Sequence, residues 1–310
     1  MNRPSRTPAV VSLLAAAALA GCQATPVSTV TDKAPPPASA PATQAAKPAA
    51  LPGTLSVLTF AAGKPITLVR GGETIAFGTA GTGDVVAQPS PDGRHLALVT
   101  SPNPDTIVPG DLVVVDAGGQ RHVLAHNVPF GGGTVPTWTP DGRSVIHDGT
   151  RYDVTGGGHA GAGLVKDNSG YLAYSVDGAT LAYASSERTI QVSAAGGGSA
   201  RTTDISQLPD CTRTAACPFA VQAVSPDGHY VALGNGNTDP SHVTTAHLVL
   251  DTRTGKTVDL SAFGTVRHVW FPATGGAIVG TDHALQVVDA AWRVTGTFPA
   301  PAAGELFYTA

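Results

Sequence analysis

The stretch Ser225-Pro226-Asp227-Gly228, followed at once by the apolar Tyr230-Val231-Ala232-Leu233, decides the fold because it recurs. Ser90-Pro91-Asp92-Gly93 stands before His95-Leu96-Ala97-Leu98-Val99. Thr139-Pro140-Asp141-Gly142 and Val176-Asp177-Gly178 repeat the turn, and Phe271-Pro272-Ala273 is a degenerate fifth copy. Each residue type has a task in a hairpin. Pro presets φ at the first central position, Asp bonds nearby backbone N–H groups, and Gly takes the left-handed conformation. Repetition at this period marks stacked β units, none of which can bury its own faces alone.

A second hairpin completes each unit: Leu112-Val113-Val114-Val115-Asp116 before Gly118-Gly119, Ile190-Gln191-Val192 before Gly196-Gly197-Gly198, and Leu248-Val249-Leu250-Asp251 before Gly255. Two hairpins make a four-stranded antiparallel sheet. With Gly 37, Pro 25 and 13% charged residues in 310, the composition suits many short strands and tight turns rather than amphipathic helices. The fold class is therefore all-β.

These units resemble the WD40-like, TolB-type β-propeller repeats, in which an aromatic or small residue precedes Ser-Pro-Asp-Gly, a short apolar strand and an apolar-apolar-Asp hairpin. Trp138 and Trp270 stand three residues before the Asp or its equivalent, and Tyr174 takes the same place. The third unit lacks the Pro and the fifth lacks the Asp. From Asp92 through Asp141, Asp177 and Asp227 to the aligned Ala273 the spacings are 49, 36, 50 and 46 residues. Division of the domain by that mean predicts a six-bladed propeller, with five or seven blades as alternatives. Leu55-Ser56-Val57-Leu58 and Ile66-Thr67-Leu68 match the second hairpin of a unit that lacks its first. Glu305-Leu306-Phe307-Tyr308 is the segment expected to close the ring beside them and hide its edges.

The chain divides into three parts. In residues 1–21, Arg3 and Arg6 precede the apolar run Ala9 to Ala20, too short to cross a bilayer as a helix, and Leu19-Ala20-Gly21-Cys22 resembles the lipobox of bacterial lipoproteins. That resemblance implies removal of the signal and lipid on Cys22, hence an extracytoplasmic protein anchored to a bacterial membrane by several acyl chains. Residues 22–53, rich in Ala and Pro, read as a disordered tether. Residues 54–310 form the propeller. The formal charge of −4, or −6 once Arg3 and Arg6 are removed, argues against nucleic acid as a partner.

Few residues point to chemistry. Cys211 and Cys217, six apart in an oxidising compartment, read as a disulfide pinning a loop, with free thiols or a metal pair as alternatives. Asp92, Asp141, Asp177 and Asp227 are assigned to turn bonding. Asn235, Asn237, Asp239, His242 and His247 crowd one Gly-rich loop that could hold a polar ligand or a cation, although a solvated insertion is the reading the irregular spacing favours. No catalytic or phosphate-binding motif occurs, and no cofactor is expected. The expectation is a monomeric, non-catalytic module that binds envelope proteins, peptides or glycans, as the TolB-type resemblance implies. The alternative is a lactonase-like hydrolase with a cation in the central funnel.

Overall fold

The computed structural model describes residues 50–103, 108–129, 135–156, 158–161, 172–186, 188–208, 211–212, 219–235, 246–301 and 304–309. Six four-stranded antiparallel sheets make a six-bladed β-propeller. Blade 1 contains β1 (Thr54–Thr59), β2 (Pro65–Arg70) and β3 (Glu73–Thr79). Blade 2 contains β4 (Asp84–Pro89), β5 (His95–Thr100), β6 (Gly110–Asp116) and β7 (Arg121–Val128). Blade 3 follows with β8 (Thr137–Trp138), β9 (Ser144–His147), β10 (Thr150–Asp153) and β11 (His159–Gly161). Blade 4 has β12 (Leu172–Tyr174), β13 (Thr180–Ser186), β14 (Thr189–Ala194) and β15 (Arg201–Asp204). Blade 5 has β16 (Phe219–Val224), β17 (Tyr230–Asn235), β18 (Ala246–Asp251) and β19 (Lys256–Val258). Blade 6 has β20 (Val266–Trp270), β21 (Ala277–Thr281), β22 (Ala284–Val288) and β23 (Val294–Pro299). Helix among the described residues is confined to a 3-10 turn at Ser261–Phe263 and the pair 211–212.

First strands of neighbouring blades meet, β4 with β8, β12 with β16 and β16 with β20, so they stand innermost and the fourth strands lie at the rim. Both faces of each sheet are covered by neighbours, which is why the second strands read as unbroken apolar runs instead of alternating ones. In β5, Leu96 and Leu98 pack with Leu58, Ile66 and Leu68 of blade 1. The intervening Ala97 and Val99 pack with Trp138 and Val145 of blade 3. Similar clusters fill the junctions of blades 3 and 4, 4 and 5, and 5 and 6. The core is thus a set of wedges between blades.

The ring closes through β24 (Glu305–Thr309), which pairs antiparallel with β1 from Leu58↔Glu305 to Thr54↔Thr309. Its sheet order, β24-β1-β2-β3, corrects one detail of the sequence reading. β1 and β2 are the second and third strands of their blade, and β3 is the rim strand. The C-terminus therefore supplies a single strand rather than half a blade.

A second correction concerns the degenerate turn. Trp270 pairs with Ile278, whereas Gln88, its counterpart on β4, pairs with Ala97, so the turn of blade 6 is one residue shorter. Phe271, not Trp270, is the equivalent of Trp138 and Tyr174. It packs toward blade 5, 6.3 Å from Tyr230 between ring centroids, as Trp138 packs 6.2 Å from His95. Ala273 then takes the Pro position and Thr274 that of the Asp. Trp270 faces the opposite way, toward Tyr308 of the closing strand at 6.3 Å. The missing Pro of the third unit, by contrast, changes nothing: Gly178 N–H still donates to Ser175 O at 2.8 Å, as Gly93 does to Ser90.

Candidate functional site

The repeat turns share one hydrogen-bond pattern. Ser90 Oγ donates to Asp92 Oδ1 at 2.6 Å, Arg94 N–H donates to the same oxygen, and His95 N–H donates back to Ser90 Oγ. Thr139 with Asp141, Ser175 with Asp177 and Ser225 with Asp227 repeat it at 2.7, 2.6 and 2.7 Å. Burial works to raise the pKa of Asp92 and Asp227. The Ser hydroxyl, the turn N–H and nearby positive charges outweigh it, so both carboxyls lie below the usual range. The Thr139 hydroxyl and the Arg143 N–H do the same for Asp141. Each repeat carboxylate is thus engaged in holding its own turn.

The turns also hold neighbouring blades in register. A Cβ on Gly178 would lie 2.6 Å from the Pro140 ring of the previous turn, and one on Gly228 would lie 2.7 Å from Val192. Both glycines have positive φ, 73° and 66°, so conformation and close approach demand the same residue. Thr180 Oγ1 donates to Pro226 O across the junction of blades 4 and 5. Arg70 spans the closure, donating to Pro91 O at 2.6 Å and to Thr309 Oγ1 at 3.1 Å. The turn face is therefore one braced surface built from several blades.

Between blades 3 and 4 this face holds a cleft of about 280 Å³. Thr139, Pro140, Asp141, Ser144 and Arg151 line it from blade 3, and Tyr174, Gly178, Ala195 and Gly196 from blade 4. Arg151 is exposed and its positive charge lies beside the Tyr174 hydroxyl. Burial raises the pKa of that phenol while the Arg151 charge pulls it back. The cleft is open because the β14–β15 turn carries Ala195-Gly196-Gly197-Gly198, and no atom lies within 4 Å of a Cβ placed on any of the three glycines.

The corresponding junction of blades 5 and 6 is filled by an aromatic side chain. Trp292 lies at φ 60° and its N–H donates to Asp289 O at 2.9 Å, the place held in blades 2 and 4 by Gly119 and Gly197 at φ 81° and 94°. The indole meets Tyr230 edge-on at 5.6 Å, and Tyr230 stacks on His229 at 4.1 Å. Where blade 4 has glycine and a cleft, blade 6 has a wedge.

Two buried groups on the innermost strands of blades 6 and 1, β20 and β24, are shifted. His268 stacks on Trp270 at 5.0 Å, and burial, helped by the Arg267 charge, lowers its pKa to about 4. Burial alone raises the Glu305 carboxyl on β24 to about 6. Elsewhere, Asp84 has a 2% exposed side chain and takes both Arg121 amino groups together with Gly81 N–H, anchoring the connection into blade 2.

Several sequence-predicted residues fall outside the described residues: Cys22 with the signal and the tether through residue 49, Cys217, Asn237, Asp239 and His242. Asn235 ends β17 and His247 lies on β18, so the backbone of these two flanks the loop. Cys211 is buried with Ile205, Leu208 and Phe219 in the wedge between blades 4 and 5. Among the described residues no three His, Cys, Asp or Glu side chains gather as a metal-binding group, and no helix is long and apolar enough to cross a membrane. In the sequence Tyr174 stands out only as the repeat's aromatic position, and Arg151 and Trp292 are not among the candidate residues. Arg151 sits beside no recognisable motif, whereas a Trp in a turn that is glycine elsewhere was a detectable signal.

The repeat turns, the wedge cores and the closing strand together define a β-propeller protein of six blades. Among solved structures, the chain is similar to TolB from Acinetobacter baumannii, with 16% sequence identity and a TM-score of 0.48, over 82% of this chain and 65% of that one. No family model matches the chain, and no curated protein matches it.

Proposed function

We propose that the protein is a non-catalytic binding or scaffold module, tethered outside the cytoplasm to a bacterial membrane by lipid on Cys22, which recognises envelope proteins or peptides. The observation that carries this reading is the braced turn face. Neighbouring blades are locked by Arg70, Thr180 and the turn glycines, so loops from several blades form one surface that needs little ordering on binding. The repeat carboxylates serve the turns. A cleft with polar and aromatic walls stays open on the same face.

The lipid anchor is supported by the charged, apolar and small-residue order ending at Cys22, and the Ala/Pro-rich segment after it supplies reach. A Cys211–Cys217 disulfide would staple the loop at the wedge of blades 4 and 5. Mass spectrometry before and after reduction checks it by a change of about 2 Da. Crosslinking in intact cells followed by affinity purification of the full chain tests the main reading. Recovery of defined envelope proteins supports it, and the Cys22→Ser chain should leave the membrane fraction. A melting temperature that rises with millimolar calcium, with no partner recovered, would favour the cation-dependent hydrolase instead.

A further inference from the structure

We infer that the cleft between blades 3 and 4 captures the C-terminal carboxylate of a peptide, with Arg151 as its charged anchor. The inference rests on the binding-module reading and gives that module a ligand class. Two observations converge. Arg151 is exposed and lines the cleft, its charge beside the Tyr174 hydroxyl, and its guanidinium offers a five-donor fork to a planar anion. Beside it the Gly196 N–H makes no protein hydrogen bond, and the backbone turns there into Gly197 at φ 94°. The Gly197 N–H is committed to Ala194 O at 3.0 Å, so the turn offers one donor, the Gly196 N–H, to work with the Arg151 fork on a chain-terminal carboxylate.

The one carboxylate on the wall, Asp141, does not compete strongly. Its Oδ1 accepts from Thr139 Oγ1 and Arg143 N–H, and Arg143 and Arg151 set two positive charges against it. Size favours a chain end: about 280 Å³ lies below the ~300–1,000 Å³ typical of sites that enclose a whole drug-sized ligand. A carboxylate and its last side chain fit, the latter against the Tyr174 ring.

The test uses the ¹⁵N-labelled full chain, titrated with N-acetyl-Ala-Ala as the free acid, the same dipeptide as its amide, and acetate. The free acid should shift the Gly196 and Gly197 amide and Arg151 Nε resonances, the amide should not, and acetate should bind more weakly. Arg151→Gln should weaken the free acid by about tenfold or more, while Arg143→Gln keeps affinity within about threefold. Equal shifts from acid and amide, no shift by about 20 mM, or acetate binding as well as the dipeptide acid would overturn the inference. Partner recovery by crosslinking that persists undiminished in Arg151→Gln would defeat the cleft while leaving the module reading intact.

Discussion

Replacing Glu305 by Gln should stabilise the protein, and only at a pH where the native side chain is ionised. Glu305 lies on the closing strand β24 opposite Leu58, on the face that carries Phe307 into the wedge of blades 1 and 2. Burial raises its carboxyl from 4.5 to about 6. The folded state therefore holds this proton more tightly than the unfolded chain does. Below about pH 4.5 both states are protonated and nothing is lost. As pH climbs toward 6 the unfolded chain ionises first and folding stability falls, levelling above about pH 7. The gap between 4.5 and about 6 corresponds to about 2 kcal/mol. Glu305→Gln keeps the shape and removes the ionisation, so urea titrations at about pH 8 should show a gain approaching 2 kcal/mol, or about 4–8 °C in Tm, that vanishes near pH 4. Equal gains at both pH values, or none at pH 8, would refute the argument.

The repeat turns have the opposite sign. Asp92, Asp141 and Asp227 sit below the usual carboxylate range, so their contribution is present above about pH 4 and lost as pH falls through their lowered values. Asp227→Ala should cost about 1 kcal/mol near neutral pH and progressively less in acid, measured by urea unfolding. Trp292→Gly should release about 1–2 kcal/mol of left-handed strain but lose a larger aromatic contact with Tyr230. The expected net is a loss of about 1 kcal/mol; a net gain by chemical denaturation would mean that the wedge does not hold blades 5 and 6. Thr309→Val, which removes the acceptor for Arg70, should speed amide exchange in β24 while leaving blade 4 unchanged.

Much of the fold was legible because the same constraint recurs. Four Asp-Gly turns solve one backbone problem with one set of residues, and each marks a blade. The closing strand was legible by elimination, since Glu305 to Tyr308 had no other place. The sixth blade misled because one deleted turn residue reverses which face each inner-strand side chain takes, and two adjacent aromatics, Trp270 and Phe271, fit either register. The cleft was far less readable. It depends on three glycines in a turn, the absence of a wedge such as Trp292, and the arrival of Arg151 from the neighbouring blade. Only the junction in three dimensions brings these together.

Thermal unfolding of the full chain beside one that stops at residue 302 tests ring closure most directly. Loss of β24 exposes the edge of β1 and removes the contacts of Arg70 and Trp270 across the seam, so the shortened chain should melt well below the full one. Coincident melting curves would contradict a propeller fastened by its last strand.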